Sequence, residues 1–376
     1  AARRVRCPVR GWAGRDGAAG MIRSDPFSLR LSSPLPTAAG RIEERNGFLI
    51  RVETDGCLGV GEATPLPGWT ESYDDCATAL AEAAGRSDHR GDAFAPDSLA
   101  GVDTTTPAAR HGIELATADA RARAADKPLA AWLADGSAAS SVPVNATVGD
   151  APADATAAAT REAVDAGYEA VKVKVGARDI AEDEARLRTV REAAGDDIAL
   201  RADANGAWGV RAAERLVDVA ADLDFAYVEQ PRPATDLAGN AALRGRGVDI
   251  ALDESVGTAG VDEILDRGAA DVVVCKPMAL GGPVRTCEVA GRAAAHGVDT
   301  VVTTTIDAVV ARIGALHVAA ALPDVPACGL ATGDRLAADL ATDPAPIEAG
   351  QMSVPSGPGL AGVAFDRLRG GSDDGE

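Results

Sequence analysis

The feature that most restricts the fold is a series of eight short apolar segments, each followed by an alanine-rich, charged stretch with a helical pattern. The series covers residues 140–335, with one strand and one helix in each repeat. Eight such units predict an α/β fold, a parallel (β/α)8 barrel of the TIM type. An open doubly wound sheet is the weaker alternative, because no glycine-rich dinucleotide fingerprint follows the first strand. The predicted strands are VPVNATV, AVKVKV, IALRADAN, FAYVEQ, DIALDES, DVVVCKP, DTVVTTT and ACGLATG.

The chain before the barrel has a different pattern. In residues 26–65, alternating apolar residues are separated by turn residues such as Asp55-Gly56, which predicts an antiparallel meander. Two helical patterns follow, over residues 71–84 and 106–134. Residues 21–135 are therefore predicted to form a separate α+β domain.

The remaining segments have little regular pattern. Residues 1–20 and 370–376 are predicted to be disordered extensions with no fold of their own. Residues 336–369 are predicted to be mostly loop and to pack back on the N-terminal domain.

Charge and composition exclude several classes of partner. The chain carries 37 lysines and arginines against 57 aspartates and glutamates, which gives a net charge of −20. Such a surface repels phosphate groups, so neither nucleic acid nor an anionic membrane is expected as a partner. No uncharged apolar run reaches the roughly 18 residues that a membrane span needs. The six cysteines show neither CxxC pairs nor zinc spacing, which predicts reduced thiols and a cytoplasmic location.

Lysine is scarce, with Lys127, Lys172, Lys174 and Lys276 as its four occurrences. Strong acidity with loss of lysine is typical of proteins that stay hydrated in a salt-rich cytoplasm, so the sequence predicts a halophilic protein. Two of the four lysines alternate with valines in VKVKVG. Alternation is usually a sign of an exposed edge strand, but a parallel barrel strand has no solvent face. Both lysines are therefore predicted to point into the barrel mouth, and the valines towards the helices.

Lysine offers chemistry that arginine does not. A lysine beside a second ammonium group and a divalent cation has a lowered pKa, which leaves a neutral amine able to accept a proton. Arginine cannot lose its proton in this way. Lys276 ends the predicted sixth strand, four strands from Lys174, so the two are expected to face each other across a bound substrate.

Acidic residues end three successive predicted strands: Asp203 in RADAN, Glu229 in VEQP and Asp253 in LDES. The intervals between them, and from Asp253 to Lys276, are 26, 24 and 23 residues, which is one strand–helix unit each time. Barrel active sites lie at the carboxyl ends of the strands, so these groups are expected to be neighbours. A single strand-end acid is usually a helix cap, but three adjacent acids repel one another unless a cation joins them. Oxygen ligands suit Mg²⁺, with Mn²⁺ as a substitute.

These residues resemble the enolase superfamily, in its muconate-lactonising-enzyme subgroup. That subgroup has a KxK motif on strand two, metal-binding acids that end strands three to five, and a lysine that ends strand six. The corresponding segments here are VKVKVG, RADANGAW, VEQP, ALDES and VVVCKPMALGG. The resemblance covers roughly residues 26–366 and implies that the N-terminal domain is a capping domain whose loops close over the barrel mouth. GVGEATPLPGWTESYD, GLATGDRLAADL and VPSGPGLAGV are similar to segments of o-succinylbenzoate synthases of menaquinone biosynthesis.

The resemblance implies a role for each charged residue. The three acids would bind Mg²⁺. Lys174 would abstract the proton α to the substrate carboxylate and return it to expel hydroxide, while Lys172 would tune Lys174 and hold the carboxylate. Lys276 would stay protonated and stabilise the enediolate. The partner implied is a small-molecule carboxylate, and the sequence leaves a homo-oligomeric state open.

The resemblance also implies substrate contacts. Two candidates lie two residues either side of Asp203, and two others lie where the family has a serine-rich strand-seven end and this chain has TTTIDAVV. Glu254 follows Asp253 directly and is expected to point away from the site, because strand side chains alternate. The candidate substrate-binding residues are Arg201, Asn205, Thr304 and Thr305.

Several functions fit this pattern to different degrees. Dehydration to o-succinylbenzoate is the leading hypothesis, with N-acylamino acid racemase and muconate-type cycloisomerase as alternatives from the same subgroup. A dipeptide epimerase would be expected to carry DxD at the end of strand eight, where this chain has GLATGD. A Schiff-base aldolase would use a barrel lysine but not three acids at metal spacing. A non-catalytic barrel would be expected to have lost at least one of these charged residues.

Overall fold

The computed structural model describes residues 22–37, 40–87, 105–134 and 137–370. The two predicted disordered ends lie outside the described residues, apart from Gly370, which ends the last helix.

Three antiparallel strands form the N-terminal sheet in the order β1-β2-β3, as the alternating pattern predicts. Asp55 and Gly56 join β2 to β3 with φ angles of 53° and 72°, a turn geometry that matches the twist of paired strands. The strands are β1 (Ile22–Thr37), β2 (Gly40–Thr54) and β3 (Cys57–Ala63). The helices of this domain are α1 (Tyr73–Ser87), α2 (Pro107–Ala124) and α3 (Leu129–Leu133).

Helix α2 is almost wholly buried, because it packs on β3 and also contacts the barrel. A Cβ atom at Gly59 would lie 2.0 Å from the carbonyl oxygen of Ala116, and one at Gly61 would lie 2.1 Å from that of Gly112. The two glycines therefore allow β3 to lie directly against the backbone of α2. This close packing fixes the sheet on the helix that faces the barrel.

Seven parallel strands follow one another in chain order around a curled sheet. The strands are β5 (Ala146–Val148), β6 (Ala170–Lys174), β7 (Ala199–Asp203), β8 (Tyr227–Glu229), β9 (Asp249–Leu252), β10 (Val272–Cys275) and β11 (Asp299–Val302). The short strand β4 (Ser141–Pro143) precedes them and pairs elsewhere.

Helices alternate with these strands on the outside of the barrel. They are α4 (Ala153–Asp165), α5 (Ile180–Ala194), α6 (Val210–Asp222), α7 (Leu237–Ala241), α8 (Glu254–Ala259), α9 (Val261–Asp266), α10 (Pro277–Leu280), α11 (Pro283–Ala295) and α12 (Val309–Ala321). Within the ranges that the structure describes, no helix combines the length and the apolar character needed to cross a membrane.

The eighth predicted strand, ACGLATG, is reduced to a short pairing that closes the ring. Cys328 forms a parallel bridge with Val144, beside β5, and Gly329 forms one with Thr303, at the end of β11. The backbone amides of these two residues donate hydrogen bonds of 2.8 and 2.9 Å to the strand segments on either side. The predicted (β/α)8 barrel with an N-terminal capping domain is therefore confirmed, with a short eighth strand.

The two faces of the barrel strands separate the core from the site. Val171 and Val173 lie in the core between the sheet and the surrounding helices, as the VKVKVG alternation predicts. The opposite face of the sheet forms the interior of the barrel. Its apolar cluster consists of Tyr227, Ala251, Val272, Val274 and Val301.

The C-terminal segment contains short regular elements between irregular stretches. It contains β12 (Ile347–Glu348), β13 (Gln351–Ser353) and α13 (Asp366–Gly370), and β13 pairs with both β12 and β4. Arg369 of α13 donates to both carboxylate oxygens of Asp119 in α2 at 3.0 and 3.1 Å, and both side chains are buried. This ion pair ties the end of the segment to the capping domain.

Candidate active site

Three of the four lysines in the chain lie at the barrel mouth. Lys172 and Lys174 are on β6, and Lys276 directly follows β10. The fourth, Lys127, is exposed between α2 and α3. The barrel mouth therefore concentrates a residue type that the rest of the sequence avoids.

Lys172 and Lys174 contact the acids that end the next two strands. The Lys172 Nζ donates to both carboxylate oxygens of Glu229 at 3.1 Å and lies 3.2 Å from Asp203 Oδ2. The Lys174 Nζ donates to Asp203 Oδ2 at 2.6 Å. The strand register explains this arrangement, because Lys174 pairs with Asp203 across β6 and β7, and Asp203 pairs with Glu229 across β7 and β8.

Lys276 lies between an acid and an aromatic ring. Its Nζ forms a buried ion pair with Asp253, which directly follows β9. The same nitrogen lies 3.6 Å from the centroid of the Trp69 ring. Trp69 belongs to the capping domain, so a side chain from the other domain covers this lysine. Sequence analysis did not single out Trp69, although it stands within the quoted segment GVGEATPLPGWTESYD.

Neighbouring charges and burial together shift the pKa values of Lys172, Asp203 and Glu229. Burial alone would lower the pKa of Lys172, but Glu229 and Asp203 raise that pKa well above its usual value. Burial, and next the charge of Asp203, raises the pKa of Glu229 to about 7. Burial would also raise the pKa of Asp203, but Lys172 and Lys174 together hold it below its usual value. Lys172 therefore stays protonated as an ammonium ion. The negative charge of Glu229 is only partly balanced by the neighbouring lysines.

Asn205 links Lys174 to Glu254. Its Oδ1 accepts from Lys174 Nζ at 2.9 Å, and its Nδ2 donates to Glu254 Oε1 at 2.8 Å. The expectation that Glu254 points away from the site is wrong. Strand β9 ends at Leu252, Asp253 has helical φ and ψ angles, and Glu254 begins α8, so strand alternation does not apply there.

Gln230 is a second residue that sequence analysis did not single out. It follows Glu229 and is fully buried. Its Oε1 accepts from the backbone amides of Asp253 and Ser255 at 3.1 Å, and its Nε2 donates to Ser255 Oγ at 2.8 Å. The side chain therefore joins the ends of β8 and β9 and fixes the separation of Glu229 and Asp253. Its position within VEQP was the available sequence signal.

Arg201 lies deeper in the barrel than the acids. Its Nη1 donates to Asn145 Oδ1 at 3.1 Å and to the Ala327 carbonyl oxygen at 2.7 Å. The guanidinium carbon lies 4.8 Å from the centroid of the Tyr227 ring. Through these contacts, the buried Arg201 connects β7 to Asn145, just before β5, and to Ala327, at the start of the closing eighth segment.

The strand-seven threonines bond to other protein groups. Thr304 Oγ1 lies 2.9 Å from Thr332 Oγ1, and the Thr305 hydroxyl donates to the Asp307 carboxylate. Both threonines are buried. The structure thus brings Asn205 into contact with Lys174 and Asp203. Arg201, Thr304 and Thr305 have other partners.

A cavity of ≈ 250 Å³ opens beside Lys276 and Asp253. Its walls include Trp69 and Arg110 from the capping domain and Arg285 from α11. It lies to one side of the charged cluster, because Lys174, Asp203 and Glu229 are not among its lining residues.

The donor set of the acids fits Mg²⁺. All three offer carboxylate oxygens from strand ends, and Asp203 and Glu229 already converge on the Lys172 ammonium group. A cation would relieve the repulsion from Asp203 and Asp253 that helps to raise the pKa of Glu229. In the described part of the chain, no three acidic, histidine or cysteine side chains are close enough to share an ion. Metal binding would therefore replace contacts that the lysines make in this structure.

Comparison with known proteins identifies both domains. The family described as "Enolase C-terminal domain-like" matches residues 155–368. The family described as "Mandelate racemase / muconate lactonizing enzyme, N-terminal domain" matches residues 21–133.

Individual relatives have several different activities. An o-succinylbenzoate synthase from Thermobifida fusca is 39% identical over 207 residues, which cover 54% of this chain and 63% of the relative. An N-succinylamino acid racemase from Amycolatopsis sp is 32% identical, over 89% of this chain and 92% of the relative. The dipeptide epimerase from Methylococcus capsulatus, solved with Mg and the dipeptide L-Arg-D-Lys, has 29% identity and a TM-score of 0.81, over 92% of this chain and 99% of that one. The chain therefore belongs to the enolase superfamily.

Proposed function

We propose that the protein is a Mg²⁺-dependent o-succinylbenzoate synthase, a hydro-lyase of menaquinone biosynthesis. Its substrate would be 2-succinyl-6-hydroxy-2,4-cyclohexadiene-1-carboxylate. The observation that carries the proposal is the pair of lysines at the carboxyl ends of β6 and β10, Lys174 against Asp203 and Lys276 against Asp253. The similarity to the o-succinylbenzoate synthase of Thermobifida fusca supports the choice of substrate.

The reaction removes a proton from the carbon α to the ring carboxylate and hydroxide from the neighbouring carbon, so that water leaves and the ring becomes aromatic. Lys174, as a neutral amine, takes the proton, and the electron pair of that C–H bond moves into the enediolate. The C–O bond then breaks with its electron pair on oxygen, and the Lys174 ammonium group returns the proton to form water.

The other two lysines act as cations. Lys172 is held protonated by Glu229 and Asp203, so it can attract the substrate carboxylate. In the proposed reaction, Lys276 stays protonated and stabilises the negative charge that develops on the enediolate. Bound to Asp203, Glu229 and Asp253, Mg²⁺ would supply Lewis-acid stabilisation of that same charge.

N-acylamino acid racemisation is the second candidate. Two lysines that face a substrate from opposite sides are also what a two-base racemase requires. The similarity to the N-succinylamino acid racemase, which extends over most of both chains, specifically supports this activity. The same charged site would serve both reactions, so the substrate decides between them.

A direct comparison of the two substrates tests the proposal. The Mg²⁺-loaded protein in molar KCl is given the cyclohexadiene carboxylate or an N-succinylamino acid, and kcat/KM is measured for each. A synthase is expected to dehydrate the first far more efficiently, with α-proton exchange that depends on Lys174. In a racemase, each lysine exchanges the α-proton of one enantiomer, so efficient racemisation without dehydration would overturn the proposal.

A further inference from the structure

Arg45 of β2 connects the capping domain to the rim of the barrel. Its guanidinium group donates to the carbonyl oxygens of Thr64 at 2.9 Å and Pro65 at 3.2 Å, and to that of Ile306 at 3.1 Å. Arg45 is 4% exposed, so these bonds are shielded from water. One buried side chain thus holds two separate chain segments together.

The first of these segments begins the Trp69 loop, defined here as residues 64–71. Within the loop, the amides of Trp69 and Thr70 both donate to the Leu66 carbonyl oxygen at 2.9 Å, and the Leu66 amide donates to Thr70 Oγ1 at 2.7 Å. These bonds make residues 66–70 a compact turn. The turn therefore behaves as one unit, and its orientation depends on the contacts at the two ends of the loop.

The far end of the Trp69 loop is fixed to helix α2. The Glu71 carboxylate accepts from the backbone amides of Ala108 at 3.0 Å and Ala109 at 2.9 Å, in the first turn of α2. Arg45 holds the beginning of the loop and Glu71 holds the end. The loop is thus attached at both ends.

The second segment held by Arg45 is the turn after β11. Ile306 has a φ angle of 62° in this turn, a conformation that β-branched residues rarely adopt. Such backbone strain persists only where surrounding contacts impose it, and the bond from Arg45 is one such contact. Two buried acids, Glu62 and Asp307, supply the opposite charge near Arg45.

We propose that Arg45 is a positioning residue for the barrel mouth, which sets the Trp69 loop so that Trp69 lies over Lys276. Arg45 does not contact the three proposed metal ligands or the lysines at the barrel mouth. Its effect on the reaction is therefore transmitted through Trp69. The kinetic consequence of this placement rests on the proposed function, but its structural consequence does not.

Quenching of Trp69 fluorescence by acrylamide tests the placement without any substrate. Arg45→Met removes the three bonds, and the Trp69 signal is obtained by subtracting the matched protein that also carries Trp69→Phe. Trp69 is expected to become severalfold more accessible to acrylamide. Arg45→Lys, which keeps the charge and part of the bonding, is expected to give an intermediate value and serves if Arg45→Met does not fold.

Arg51→Met is the matched control. Arg51 lies on the same strand, but its guanidinium group bonds the Leu368 carbonyl oxygen and Asp25, away from the barrel mouth. This variant is expected to lose stability while Trp69 stays shielded. Equal accessibility of Trp69 in the wild type and the Arg45 variants would overturn the proposal.

A double-mutant cycle supplies the kinetic test. Misplaced groups at an active site commonly cost up to about 100-fold, so Arg45→Met is expected to lower kcat/KM about 10- to 100-fold. In a Trp69→Leu background, the same change is expected to have little further effect, because both substitutions remove one interaction. Multiplicative losses would overturn the proposal. A wild-type protein without the dehydration activity would contradict the proposed function alone, and the quenching result would still decide the role of Arg45.

Discussion

The carboxylate of Glu62, in capping-domain strand β3, accepts a hydrogen bond of 2.8 Å from the backbone amide of Ala308, the residue before barrel helix α12. Glu62 also accepts from the amide of Ala311 at 2.8 Å, so it supplies the N-terminal cap of α12. Glu114 of α2 acts in the same way on α11, through the amide of Val284 at 2.8 Å. Two buried glutamates of one domain thus cap successive helices of the other.

The first prediction concerns the pH dependence of stability. Burial, and next the charge of Asp307, raises the pKa of Glu62 from 4.5 to about 7. The folded state then binds this proton more tightly than the unfolded chain does. The resulting stabilisation is complete below the unfolded pKa and is lost as pH rises through the folded one. Its size is on the order of 3 kcal/mol. Glu62→Gln is expected to flatten the fall in unfolding free energy between pH 4.5 and 8, measured with urea in molar KCl.

Glu114→Gln provides an independent check on this first prediction. Burial raises the pKa of Glu114 to about 7 as well, and its backbone partners differ from those of Glu62. The two substitutions are therefore expected to flatten the pH profile additively. A profile that is the same in the wild type, both single variants and the double variant would contradict the assignment.

The second prediction separates the roles of the lysines. Lys174→Arg keeps the charge but cannot supply a neutral amine, so turnover is expected to fall about 10²- to 10⁴-fold. Steady-state kinetics measure the loss, while circular dichroism and Mg²⁺ titration should show an intact fold and metal site. Turnover of Lys174→Arg near the wild-type rate would exclude Lys174 as the base.

A third prediction applies to Lys276 as a cation. Lys276→Arg is expected to retain more activity than Lys276→Ala, because the guanidinium group still offers positive charge to the enediolate. The bulkier group beside Trp69 and Asp253 will limit the recovery. The measurement is kcat for both variants under saturating Mg²⁺. Equal losses in the two variants would contradict a purely electrostatic role.

The fourth prediction concerns the metal. Thorough treatment with EDTA is expected to abolish activity, and Mg²⁺ or Mn²⁺ is expected to restore it. Glu229→Gln removes one proposed ligand, so calorimetry should show weaker Mg²⁺ binding. Thr305→Val serves as the control, because the Thr305 hydroxyl bonds Asp307 outside the acid cluster. Full activity after chelation would end the metal assignment.

The fifth prediction concerns salt. A net charge of −20 repels itself unless ions screen it, and the screening length falls from about 10 Å at 0.1 M salt to about 3 Å at 1 M. The melting temperature, followed by circular dichroism, is therefore expected to rise steeply with KCl over this range. A flat profile would remove the proposed halophilic character without affecting the catalytic proposal.

Spacing along the sequence was sufficient to place the residues that pair with one another on neighbouring barrel strands. Lys174, Asp203 and Glu229 are paired across β6, β7 and β8, so a count of strand–helix units brings them together. Glu254 could not be placed in this way, because the strand ends before it and helical backbone geometry turns its side chain towards Asn205.

Contacts between the domains could not be predicted from spacing. Trp69 reaches Lys276, and Arg45 reaches Ile306, only because the capping domain packs on the barrel. The short eighth strand has a similar explanation. ACGLATG carries the strand pattern, but the number of residues that pair depends on where its neighbours lie, and Cys328 and Gly329 form the closing bridges.

The lysines of this protein differ widely in how accessible their amines are to reagents. Lys127 is the exposed lysine, while Lys172 and Lys276 are largely enclosed and Lys174 is partly open. Among lysine side chains, an amine-directed label or immobilisation resin would therefore couple mainly at Lys127, between α2 and α3 and away from the barrel mouth. Lys174 is the next most accessible lysine, and its amine is held by Asp203 and Asn205, so coupling there would report on access to the barrel mouth.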